Sequence, residues 1–532
     1  MKRQVARLGE KKFDALVIGA GIYGAAVARD AAMRGLKVAL IDKDDFCGKT
    51  SHNSLKIIHG GLRYLQHLNF KRTLESIQEQ SIWLEVAPHL VKPLPCVMPT
   101  YGHLMRGPEA MWAGIKLFQL MRFGRNRRLT VDRKISRGKI LSKKDCLSLL
   151  PNINTKGLTG AALWYDAQVF DADRAVIEMI ISAAEEGAVV ANYVEAKSLV
   201  IDGNRVAGAV VRDNTDNQEY QINSKYVINT AGPWAKQLIE MTGQKQAADY
   251  DLPLTESMNI VTRPLFGKNA IALNSKIDSD SVVGATKRLY FFTPWKGCQA
   301  IGTTHFSYSG NPDDLLVKEN EVQQFIDEIN QVYEGLNLSL DDVSYCYKGL
   351  TPAADDKDNG SRAHEGRILD HQKDGLDGFI SMVGVKYTTA RLEAEKTVNL
   401  LANKLQIKAK CQTRTKSLPG LNEKSTDLED LDEDAFSARC KQIIEQTAVV
   451  NLSDLLLRRM DLAARGLLTK DHLERCVQAL IDVKSWDQAQ TLEELNDLDN
   501  TWFNPSLRSD ITELKKAFIT TSPSKPSPVN KF

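Results

Sequence analysis

The sequence predicts an α/β protein: a parallel-sheet domain that the chain re-enters several times, a β-sheet domain interleaved with it, and a C-terminal helical domain. Three observations predict this. A strand, glycine turn, helix and second strand occupy about thirty residues from Phe13, apolar strand-like runs return much later, and beyond residue 435 the pattern turns helical. A chain of 532 residues is too long for one core, so two or three domains are expected.

FDALVIG is a short apolar run ending on glycine, the pattern of a buried parallel strand. AAVARDAAMRG has helical spacing and stops at Gly35, and KVALID follows as a second strand. Together they make a βαβ unit. RVAGAVVRD and EYQINSKYVINTAG read as a meander returning to that sheet, and GFISMVGVKYTTARLEAEKTVNLLANKL as another strand, loop and amphipathic helix. The parallel-sheet domain is therefore expected over 10–65, 151–245 and 351–405, with the second domain in 66–150 and 246–350. Polar, acidic residues in 406–435 read as a linker, 436–515 as the helical domain, and the Ser/Pro/Lys-rich 516–532 as a disordered tail.

Hydrophobic residues make up 43% and charged residues 26%, with a formal net charge of +2, so no global nucleic-acid footprint follows. Eight cysteines lie scattered without a C-x-x-C pair, which argues against a metal site or disulfide framework. MKRQVARLGEKKF lacks the apolar run of a signal peptide, and no stretch has the length of a spanning helix. The expectation is a cytoplasmic protein, soluble or peripheral on the inner face of the membrane.

Gly19-Ala20-Gly21-Ile22-Tyr23-Gly24 is a G-x-G-x-x-G turn between strand and helix. Gly19 permits the turn, Gly21 lets backbone approach a pyrophosphate, and Gly24 lets helix pack on strand. The helix N-terminus favours phosphate, and Asp42 at the end of the second strand can accept from ribose hydroxyls. The unit is a Rossmann-like dinucleotide site. FAD rather than NAD follows from the chain order, because the second strand leads into FCGKTSHNSLKIIHGGLRYL and a long excursion. Thr50, Ser51, Ser54 and the backbone of His59-Gly60-Gly61 are candidates for the flavin side, although hydroxyls in such a run also suit an ordinary capped loop.

At HGGLRYL the sequence resembles the FAD-dependent glycerol-3-phosphate dehydrogenases and α-glycerophosphate oxidases. The resemblance is carried by TSHNSLKIIHGGLRYL, WYDAQVFDADR, NTAGPWA, TPWKGCQAIGTTH and GVKYTTAR, in that order. It implies an FAD domain of the glutathione-reductase and D-amino-acid-oxidase type with a substrate domain and a helical cap. It also implies cofactor contacts at Gly19, Gly21, Ile22, Tyr23, Gly24, Asp42, Lys43, Thr50, Ser51, Ser54, His59, Gly60 and Gly61. Further along the chain, Val194, Ala231, Gly232, Trp234, Gly384, Lys386, Tyr387 and Thr388 complete the implied set. Arg63, Arg367 and Lys386 match basic substrate positions, and three cations around one cavity suit an anion. Two substrate positions depart from the pattern: Thr351 stands where the family has an arginine, and Asn259 where it tends to have a histidine. The end of GTTD has become His305.

The implied reaction is hydride transfer from a hydroxyl-bearing carbon of a small polyol or polyol phosphate to flavin N5. Lys386 and Arg367 are expected to stabilise negative charge, and His59 and His305 are the titratable candidates for the base. An oxidase of an amine, amino acid or hydroxy acid, or a flavin-bound protein without turnover, stands as the alternative. Segment 109–128 sets Trp112, Ile115, Leu117, Phe118, Met121 and Phe123 beside a basic cluster. That pattern fits a membrane surface and a quinone acceptor, or equally a core helix with a basic loop. A homodimer is compatible with the sequence.

Overall fold

The computed structural model describes residues 1–104, 107–244, 252–279, 286–353, 366–422, 428–499 and 505–520. In chain order, the first elements that build the site are β1 (Lys12–Ile18), α1 (Ile22–Met33), β2 (Val38–Ile41), α2 (Phe70–Val86), β3 (Val91–Tyr101) and α3 (Pro108–Met121). Then come β4 (Leu158–Val169), α4 (Ala172–Glu185), β5 (Val189–Ala191), β6 (Glu219–Asn229) and β7 (Leu254–Thr262). The last are β8 (Val343–Pro352), β9 (Arg367–Asp370), β10 (Phe379–Val383) and α5 (Ala390–Lys404).

The first sheet runs β9-β10-β6-β1-β2-β5, with the hairpin Val194–Asp202 and Arg205–Asp213 added antiparallel at β6. From β10 to β5 the strands are parallel, and β1 and β2 are buried along almost their whole length, which is why they read as continuous apolar runs. α1 is buried on nearly every side. Its alanines 25, 26, 28, 31 and 32 let α4 and α5 approach closely, and the buried Arg29 donates to Ser182 Oγ and to the Lys416 carbonyl.

The second sheet has ten strands, centred on a long antiparallel pairing of β3 with β4 from Val91↔Val169 to Thr100↔Gly160. The structure thus corrects one expected boundary. β4 falls in 151–245, assigned to the first domain, yet it hydrogen-bonds only within the second sheet, whereas β8, expected in the second domain, pairs there with β7. Nothing local in an apolar run specifies its partner strand. Residues 406–422 are not a free linker either: Leu418 is buried and donates its N–H to the Val86 carbonyl, and Thr413 accepts from Arg391. Polar side chains there are held by buried arginines. Helices Glu433–Gln446, Lys470–Lys484, Gln488–Asp499 and Pro505–Thr520 form the C-terminal domain. The last helix runs into the expected tail, of which 521–532 lie outside the described residues.

This domain docks on the first through a π-helical turn, Asp454–Arg459. Arg458 and Arg459 both donate to Asp45, a fully buried carboxylate just after β2. Burial alone would raise Asp45, but the two guanidinium groups hold it below the ordinary carboxylate value.

Candidate active site

The glycine turn is built as its spacing predicts. Gly19 has φ +100°, and a Cβ there would fall 2.6 Å from the Thr230 carbonyl. A Cβ on Gly24 would come 1.8 Å from the Gly19 carbonyl oxygen, so strand and helix could not close. Ser51 Oγ accepts from the Ile22 N–H at the start of α1, 2.9 Å, and Thr230 Oγ1 donates to the Gly19 carbonyl. Asp42 accepts from the Ala20 and Asp44 N–H groups. Burial and the neighbouring Asp44 push its carboxyl up to about 7. Val194 donates its N–H to the Asp42 carbonyl, and Lys43 lies over the Trp234 ring at 4.2 Å while pairing with Asp313.

The loop after β2 connects the two sheets. Thr50 Oγ1 donates to the Leu350 carbonyl in β8, and Asn259 Nδ2 donates to the Asn53 carbonyl. Asn259 Oδ1 accepts from Thr303 Oγ1, 2.8 Å. Through these two bonds Asn259 clamps the loop to the second sheet. Ser54 Oγ and Thr351 Oγ1 are shielded from solvent and have no hydrogen-bond partner. Unmade hydrogen bonds of this kind are costly unless a bound group completes them.

The loop Gly384–Thr389 closes the site from the other side. Tyr23 reaches across from α1, accepts from the Val385 and Lys386 N–H groups and donates to the Lys386 carbonyl. A Cβ on Gly384 would strike the Tyr23 ring at 2.1 Å, so this glycine is required by the tyrosine. Tyr387 turns away from the loop: its ring stacks on Trp83 and its hydroxyl donates to the Ala172 carbonyl. The Thr388 carbonyl accepts from the Trp83 indole N–H. The Tyr387 side chain and the Thr388 carbonyl thereby hold this loop against its neighbouring helices. Lys386 Nζ lies 3.9 Å from the centre of the Tyr64 ring, and Arg72 stacks on the same ring at 4.6 Å.

Of the two candidate bases, His59 is brought to a buried carboxylate. Its Nδ1 lies 3.1 Å from Asp166 Oδ2, and its ring packs edge-on against Phe291. Asp166 is buried and also accepts from the Gly60 N–H, Gln80 and the Trp164 indole. Burial works to raise it, but the contact with His59 and these donors hold it below the ordinary carboxylate value. A fixed carboxylate orients the ring and leaves Nε2 to act. His305 instead meets Ser257 Oγ at 2.9 Å, beside the exposed Phe306. Arg63 is solvent-exposed on the 3₁₀ turn Leu62–His67, and Arg367 is exposed on the edge strand β9, opposite Val383. Among the described residues no cluster could hold a metal ion.

Tyr64, Arg72 and Asp166 are site residues that the sequence reading did not single out. Tyr64 and Asp166 lay inside quoted motifs; Arg72 carried no signal, being a cation in the first turn of a helix.

The fold and the glycine cradle define a dinucleotide-dependent flavoprotein. Residues 14–390 match the family described as FAD dependent oxidoreductase, and the chain belongs to it. The unpartnered Ser54 hydroxyl, the cradle that a Cβ would fill and the half-buried Asp42 fit FAD as its cofactor. The chain is 35% identical to a glycerol-3-phosphate dehydrogenase of Synechocystis sp., covering 79% of this chain and 75% of that protein. It is 29% identical to the aerobic glycerol-3-phosphate dehydrogenase of Staphylococcus saprophyticus, covering 78% and 72%. The glycerol-3-phosphate dehydrogenase from Bacillus halodurans complexed with FAD superposes with a TM-score of 0.70 at 23% identity, covering 93% and 95%, a likeness of fold.

Proposed function

We propose that this protein oxidises a small phosphorylated polyol of the glycerol 3-phosphate kind. The observation that carries the reading is the cationic wall next to the cofactor loop, where Lys386 and Arg72 share the ring of Tyr64. The relatives named above agree with it. Bound FAD supplies the hydride acceptor. His59, oriented by Asp166, takes the hydroxyl proton at Nε2 as the carbon–hydrogen bond breaks. Lys386 stabilises the negative charge that develops on the substrate oxygen. Anaerobic bleaching of the bound flavin tests this against a panel of substrates. Glycerol 3-phosphate should bleach it; bleaching by amino acids or hydroxy acids alone would replace the reading.

The membrane surface expected in segment 109–128 also finds support. α3 buries Ile115 and Phe118, and the helix and the turn after it present Trp112, Leu120 and Phe123 outward at 54%, 71% and 80% exposure. Lys116 and Arg127 lie over two of these rings. Apolar side chains among cations suit an anionic bilayer surface, from which a quinone can take electrons. Among the described residues no helix is long and apolar enough to cross a membrane.

A further inference from the structure

We infer that Arg72 is the specificity-determining residue for the anionic end of the substrate, seating its phosphate monoester in the cleft between the first turns of α2 and α5. The inference rests on the polyol-phosphate reading above and gives the anion its ligand.

The cleft has a cavity volume of about 80 Å³ and is lined by Lys71, Arg72, Ser76, Lys386, Thr389 and Lys396, with Glu75 and Glu393. Both acids are engaged by Lys396, at 3.7 and 2.9 Å. Lys71, Arg72 and Lys386 therefore give the cleft an excess of positive charge.

Arg72 is the unusual member. It is only 8% exposed, and its Nη2 is sealed from solvent without a hydrogen-bond partner. Among the described residues no carboxylate lies within 4.0 Å of its guanidinium. A desolvated guanidinium left without an acid is costly, and the expense is ordinarily avoided by pairing. Helix stability does not explain it, because Arg72 is the third residue of α2, where the helix dipole opposes a cation. Asn69 fixes the Arg72 backbone by capping its N–H, and Tyr64 fixes the plane of its side chain. A planar guanidinium held by Tyr64, with Nη2 unmet by any protein acceptor, is suited to the oxygens of a phosphate.

Two helix N-termini reinforce the site. Lys71 and Arg72 stand in the first turn of α2, and Thr389 caps α5 without a side-chain hydrogen bond. Both helices exceed fourteen residues, and their positive ends face the cleft that already holds the cations. Thr351 offers the substrate no charge. Arg72 supplies that charge from a different element, leaving Lys386 to the reacting oxygen.

The test compares FAD-loaded wild type, Arg72→Met and Arg72→Lys by anaerobic stopped-flow flavin reduction with glycerol 3-phosphate and with glycerol. Inorganic phosphate is titrated calorimetrically in parallel. In Arg72→Met the half-saturating concentration of glycerol 3-phosphate should rise about 10- to 100-fold, the scale of a charge-assisted bidentate contact. Preference over glycerol should fall by the same factor, and inorganic phosphate should bind correspondingly more weakly. Arg72→Lys should lie between, and it serves as the test if the methionine variant does not retain FAD. Unchanged half-saturation together with unchanged phosphate affinity overturns the assignment. If no phosphorylated polyol reduces the wild type, the functional reading fails, and the phosphate titration alone judges Arg72. Phosphate bound by wild type and lost in the variant then sustains the anion seat, with free phosphate as its source. Absence of millimolar binding by wild type overturns it.

Discussion

Asp42 accepts two backbone N–H groups, yet burial beside Asp44 lifts its carboxyl to about 7. Ribose hydroxyls donate to the ionised form, so cofactor binding releases a proton from this group. FAD affinity should therefore tighten as pH rises through about 7 and then level off, and Asp42→Asn should abolish the slope. FAD fluorescence quenching across pH 6 to 8.5 measures this, and a flat wild-type profile would remove the acid from the ribose site. Lys386 touches Tyr64 with its ammonium and holds the loop with its backbone, which separates its two roles. Lys386→Met keeps the backbone bonds to Tyr23, so FAD should stay bound while flavin reduction slows roughly 100-fold or more. Stopped-flow rates equal to wild type would contradict this. For His59→Asn a loss of about 10² to 10⁴ is expected, the range for a removed general base. These roles were only partly legible in sequence. Glycine spacing and the terminal acid are local patterns, whereas the choice between His59 and His305 needed Asp166, more than a hundred residues away, to arrive at one of them.

Elements were legible where one period dominated. The βαβ unit reads directly, because β1 and β2 are buried on both faces and α1 is wrapped by neighbours. Gly24→Ala should abolish FAD binding and lower the melting temperature, since the added methyl meets a backbone carbonyl that cannot move without breaking the turn. Retained flavin absorbance after purification would refute it. α3 was ambiguous because a broad apolar face fits both a core and a surface. Its burial splits the two, with Ile115 and Phe118 inside and Leu120 and, in the turn after the helix, Phe123 outside. Leu120→Asp with Phe123→Asp should abolish flotation with anionic vesicles while leaving flavin reduction by substrate intact. Flotation unaffected by the pair of charges would assign this face elsewhere.

Across the whole molecule, the junction of Asp45 with Arg458 and Arg459 joins the C-terminal domain to the cofactor domain. Removing one side leaves buried charge uncompensated, so Asp45→Asn should destabilise by about 3–5 kcal/mol in urea unfolding. The native carboxyl is held below its ordinary value, so its contribution is present above the unfolded carboxylate pKa and is lost as pH falls through the depressed one. Wild type should therefore lose its advantage over the variant on acidification. An equal urea midpoint at neutral pH would show the junction to be neutral.

The sequence by itself determined the dinucleotide unit, the FAD cofactor and the helical character of the C-terminal domain, because glycine spacing and hydrophobic period act over a few residues. Tertiary structure decided which sheet β4 joins, that Asn259 clamps a loop, that His59 meets Asp166, and that Arg72 enters the cleft. Each of those depends on partners far apart in the chain, and strand pairing and burial of charge are settled by where the chain folds back.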